Sequence, residues 1–190
     1  ATLQVEQSPE QIQKLFHHQQ RLYTLSPGDV LSIQLWAYPE ITPPIQIDSG
    51  NAKSAGYPID PNGYIQLPLV GRTLIAGKTL AETNTYLRNQ FARYLKRPDV
   101  VVRVVSYEGR RYYVNGQVIK SGQYTLNDQP ISVYTALSNA GGIDTKTGDN
   151  SSVQLIRDGI IYNLNVIQLE KQGLSLHKLL IQPDDTLFVN

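Results

Sequence analysis

The 190-residue chain has no cysteine and no methionine, one tryptophan, three phenylalanines and almost no net charge. Without cysteine there is no disulfide framework, no thiolate metal site and no cysteine nucleophile, while the compartment stays open because many exported proteins also lack disulfides. Seventeen basic residues against sixteen acidic ones give a formal charge of +1, too weak a bulk field to draw in nucleic acid or an anionic membrane. No nucleic-acid partner is expected. No apolar run approaches the ~20 residues that span a bilayer, and no charged segment leads into an apolar one at the start. A start at Ala1 with no methionine anywhere fits a processed chain, and equally the removal of an initiator residue.

What is present is turn chemistry and strand formers. Fourteen glycines, eleven prolines and twelve tyrosines accompany a 41% hydrophobic content, the composition of a folded, turn-rich protein. SPEQIQKLFHHQQRL predicts an amphipathic helix: Ser8 as N-cap, Pro9 at the first helical position, Gln11 closing a capping box. Its apolar stripe is Ile12, Leu15, Phe16 and Leu22, interrupted by Gln19. In YTLSPGDVLSIQLWAYPE a Pro27-Gly28-Asp29 turn precedes a strand with Leu31, Ile33 and Leu35 on one face. Trp36 falls on the other, less apolar face. Two readings stay open for it: a partner or neighbouring subunit covers the ring, or a second small core packs behind the sheet.

From Ile41 to Gly56 the Pro, Gly, Ser and Asn content predicts a long loop. YPIDPNGYIQLPLVG then supplies a turn at Asp60-Pro61-Asn62-Gly63 and a strand that Pro68, lacking an N–H, confines to an edge or breaks. Residues 79 to 95 predict the strongest helix, with Thr79 and Glu82 in capping-box register, and DVVVRVVSYE returns as a strand. The apolar run stops at Glu108-Gly109-Arg110, which places a domain boundary there. Beyond it, RRYYVNGQVIKSGQYTL predicts two strands, ISVYTALSNAGG a helix capped by Ser132, and Asp158-Gly159 a type I′ hairpin. LSPGDVLSIQL near the start and LIQPDDTLFVN at the end share a Pro-led acidic turn into alternating apolar residues. The whole predicts an α+β fold.

Catalytic signatures are scarce. Asp29, Glu40, Asp60 and Asp144 are the carboxylates a glycosidase would draw on, but all except Glu40 sit in turn contexts where Asp bonds its own backbone. The three histidines include the adjacent His17 and His18, which point apart on a helix and make no i, i+4 metal pair, so no metal site is expected. G-x-S-x-G, Walker-type and G-x-G-x-x-G motifs are missing, and no cofactor is expected. Asn150-Ser151-Ser152 matches a glycosylation acceptor, a pattern that chance supplies often. Tyr107, Tyr112 and Tyr113 beside Arg103, Arg110 and Arg111 read either as a surface that stacks on sugars and pairs with their carboxylates, or as strand tyrosines along a solvated basic edge. Tyr107, Arg110, Arg111 and Tyr113 are the glycan-contact candidates.

Taken in order, YTLSPGDVLSIQLWAYPE, YPIDPNGYIQLPLVG, the capped helix and RPDVVVRV resemble the polysaccharide export domain of Gram-negative capsule and exopolysaccharide exporters. YYVNGQVIKSGQY, SVYTALSNAGG, VQLIRDG and QPDDTLFV resemble the soluble-ligand-binding β-grasp module that follows it. The resemblance implies an N-terminal helix over 1–22, an α/β export domain over 23–108 and a β-grasp domain over 109–190. It further implies a non-enzymatic, homo-oligomeric ring in the periplasm, associated with the outer membrane. That ring would pass finished polysaccharide and work with an inner-membrane polysaccharide co-polymerase and tyrosine kinase. A lipid-anchored N-terminal cysteine and a C-terminal pore helix, known in longer relatives, are not in this sequence. Membrane passage is then expected to depend on segments or proteins outside it. A monomeric glycan-binding or regulatory module is the competing expectation. An edge strand needs a cover, so Trp36, Tyr64, Gln66 and Arg72 are the candidates for subunit or partner contact.

Overall fold

The computed structural model describes residues 8–20, 22–43, 56–142 and 152–190. Most of the loop expected from Ile41 to Gly56 lies outside them, as do Asp144, Asn150 and Ser151. The chain forms two compact units, Leu22–Gly109 on one side and Ala1–Arg21 with Arg110–Asn190 on the other. The second unit is therefore discontinuous in sequence.

In the first unit, β1 (Val30–Leu35) lies between β2 (Tyr57–Pro58) and β5 (Val100–Ser106) in an antiparallel sheet. Leu31, Ile33 and Leu35 pack with Val100 and Val102 in its core. Helix α2 (Leu80–Phe91) contributes Leu87 and Phe91 to that core, and its N-cap Thr79 accepts from Glu82 N–H. Asn84 on α2 accepts the Val102 N–H at 3.1 Å, using a donor that β5 would otherwise offer along its outer edge. β3 (Tyr64–Leu67) and β4 (Gly71–Leu74) form a two-stranded hairpin. β3 stops immediately before Pro68, and the chain reverses through Leu69 at φ +64°.

In the second unit five strands run in the order β7-β6-β10-β8-β9, where β6 is Arg111–Gly116, β7 Gly122–Thr125, β8 Ser152–Arg157, β9 Ile160–Asn165 and β10 Thr186–Val189. β10 is parallel to β6 and antiparallel to β8. The Asp158-Gly159 turn has φ of +52° and +77° at its two central residues, the type I′ signature. Three helices bury against one face: α1 (Pro9–His17) through Ile12 and Leu15, α3 (Val133–Asn139) through Val133 and Ala136, and α4 (Val166–Lys171) through Leu169. Both sides of the capping box at Ser8 and Gln11 form. The helix expected to run to Leu22 ends at His17, because Gln19 turns its side chain onto the Phe16 carbonyl at 2.8 Å, and Leu22 is exposed.

The two similar segments fold into the same turn. Pro27 and Pro183 lead into residues at φ +97° (Gly28) and +68° (Asp184), and a buried aspartate follows each. Asp29 and Asp185 both donate their N–H to the carbonyl three residues back and accept that residue's N–H on the carboxylate. β1 and β10, the central strands of the three-stranded and five-stranded sheets, are launched this way.

Candidate functional site

The buried aspartates are spent on structure. Asp29, 1% exposed, accepts from Ser26 N–H at 3.2 Å, Glu108 N–H at 3.0 Å, Gly109 N–H at 2.8 Å and the Tyr23 hydroxyl. It thereby ties the end of the first unit to its beginning. Gly109 permits this approach, since a Cβ there would lie 2.5 Å from the Pro27 carbonyl oxygen. Asp60 accepts from Asn62 and Tyr64 N–H, both at 2.9 Å, and so shapes its own turn. Asp185 receives Arg157 through two bonds of 2.9 and 2.8 Å; burial still pushes its carboxyl above the ordinary 3.8, with Arg157 pulling the other way. Burial likewise raises the Tyr57 and Tyr112 hydroxyls. Glu40 is exposed. Among the described residues no three His, Cys, Asp or Glu side chains gather as a metal site, and no helix is long and apolar enough to cross a membrane.

The glycan-contact candidates divide between the units. Tyr107 belongs to the first, where its half-buried ring meets Tyr23 edge-on at 5.5 Å. Arg110 is half-buried and opens the returning segment of the second unit. Arg111 and Tyr113 share the outward side of β6, facing Thr125 and Gln123 of β7, while Tyr112 and Val114 alternate into the core. The contact candidates cluster better. On the β3–β4 hairpin the Arg72 guanidinium lies over the Tyr64 ring at 3.7 Å, and Gln66 sits opposite Arg72 in the ladder. Trp36, one residue beyond β1, is 69% exposed.

Sequence reasoning missed a groove of about 500 Å³ in the second unit, between the end of α1 and residues 173–180. Phe16, His17, Gln19, His177 and Lys178 line it. The His177 ring stacks on Tyr134, centroids 3.8 Å apart, and Tyr134 is 49% exposed. Gln19 holds the two walls together, donating to the Lys178 carbonyl at 2.9 Å and accepting from Leu180 N–H at 2.5 Å. His17 and His177 lie at opposite ends of the chain, so no local spacing reveals the pairing.

Comparison with known proteins follows the same division. Residues 17–105 match the family profile of the polysaccharide biosynthesis/export protein, and residues 110–189 that of the SLBB domain. Over 178 residues the sequence is 38% identical to the EPS I polysaccharide export outer membrane protein EpsA of Ralstonia nicotianae, covering 88% of this chain and 47% of that one. The chain belongs to the outer-membrane polysaccharide export family. This exporter-family chain is also 26% identical over 151 residues to the capsule polysaccharide export outer membrane protein CtrA of Neisseria meningitidis, covering 73% of this chain and 37% of CtrA. To the polysialic acid transport protein KpsD of Escherichia coli it is 28% identical over 129 residues, 66% of this chain and 20% of KpsD. The exporter-family chain thus spans less than half the length of these relatives.

Proposed function

We propose that the chain is a non-catalytic component of an envelope polysaccharide exporter, sited in the periplasm in association with the outer membrane. Copies of it assemble into a ring through which finished glycan passes. The observation that carries this reading is the tandem order of the two matched regions, with likeness across 88% of the chain to a protein named for exopolysaccharide export. Such a task requires a stable ring and a wet, weakly binding wall, because tight sugar binding would stall passage. No bond in the glycan needs to be made or broken, so carboxylates committed to turns are no handicap.

Within this reading Trp36, Tyr64, Gln66 and Arg72 form a contact with a neighbouring subunit or partner, an inner-membrane polysaccharide co-polymerase and tyrosine kinase being the expected partner. Arg110, Arg111, Tyr113 and Tyr107 are the wall groups that meet glycan. The test pairs native mass spectrometry over a range of concentrations with complementation of a deletion strain by the full gene. Closed oligomers and restored secretion of polysaccharide are expected. A strictly monomeric full-length protein that binds glycan at micromolar concentration would replace the ring with a binding module.

A further inference from the structure

We infer that the groove between α1 and residues 173–180 is a low-affinity subsite for an acidic sugar unit, a pyranoside bearing a carboxylate. This rests on the export reading and assigns a recognition point within it. The groove's volume of about 500 Å³ falls within the ~300–1,000 Å³ typical of small-molecule sites. Its lining contains one lysine, two histidines and a glutamine, and no acidic residue. That donor set suits an anion: Lys178 offers an ammonium to a carboxylate, and each imidazole presents an N–H in either protonation state.

The apolar part suits a sugar ring. His177 is held flat against Tyr134, which fixes a π-surface on the groove's rim where the C–H face of a pyranose can stack. Phe16 forms apolar lining on the α1 side. The walls are preorganised, because Gln19 bonds to both Phe16 and the 178–180 backbone; a ligand then loses little affinity to ordering them. His17 has a structural role besides, since with Lys14 it places basic charge in the last turn of α1, where the helix dipole favours it. That explanation does not extend to His177 and Lys178, which are exposed and come from the far end of the chain.

Two-dimensional NMR of the intact chain, titrated with a glucuronate-containing tetrasaccharide and with its carboxyl-reduced counterpart, tests the assignment. Shifts are expected at the backbone amides of 16–19, 134 and 173–180, with a dissociation constant on the order of 1 mM. Lys178→Ala and His177→Ala are each expected to weaken binding about tenfold, the loss of one charge-assisted or stacked contact, as is carboxyl reduction of the sugar. Both side chains are exposed, so the variants should keep the wild-type urea midpoint, which is measured alongside. Groove amides unmoved at about 10 mM saccharide, equal binding of the reduced sugar, or unchanged affinity in both variants would overturn the assignment. Export itself is read separately, as polysaccharide secreted by the complemented strain. If this inference alone fails, complementation by the wild-type gene survives; if the export reading fails, complementation is lost whatever the titration shows.

Discussion

Asp29 shows how one side chain can hold a unit closed. Its two oxygens take three backbone N–H groups and one hydroxyl, with no cation in the set. Asp29→Ala orphans donors that are costly to leave unpaired in a buried place, at about 1–3 kcal/mol each. The first unit should lose at least about 3 kcal/mol, measured by urea unfolding followed at Trp36, the chain's single tryptophan, which lies in that unit. A loss below about 1 kcal/mol would show that water replaces the carboxylate. The Pro-Gly-Asp turn itself was legible, because Pro fixes φ, Gly accepts a positive φ and Asp reaches back to the chain. That this carboxylate would also capture Glu108 and Gly109, 79 and 80 residues on, was not. Turn chemistry is local and reads from neighbours; a distant acceptor's partner depends on the fold.

Among the elements, α1 divides the legible from the illegible in the same way. Its cap, its proline and its apolar stripe are written in adjacent residues, and the helix begins where they predict. A stripe says that a face is buried and is silent on what buries it. Here the burying surface is the core of the second unit, supplied by residues beyond Arg110. Leu15→Ala should therefore cost about 2–5 kcal/mol of that unit's stability, read as lost hydrogen-exchange protection in β6 and β10. Full protection in the variant would make α1 an appendage. In the sequence Gln19 reads as a gap in the stripe, and its reach to residues 178–180, which decides where α1 ends, has no local signature.

For the whole molecule the test is assembly. Arg72 is exposed and its approach to Asp60, at 3.9 Å, is a surface contact of the kind that contributes about 0–1 kcal/mol. Arg72→Glu should accordingly fold normally. In the proposed ring it should nonetheless weaken self-association by tenfold or more, seen in sedimentation velocity across concentrations, since reversing a charge at an interface opposes docking. Unaltered association would remove the hairpin from the contact surface and leave its sequence as a mark of the fold alone.

The discontinuous second unit also sets an order of events at birth. Helix α1 is made before the first unit, and the strands whose core it shares, β6 to β10, are made after it. The first unit has all its residues between those times and can fold while the chain is still being made, as domains generally do. Until those strands are made, the apolar face of α1 lacks the core that it joins in the finished unit. Closure of the second unit therefore waits on residues that are made after the first unit is complete.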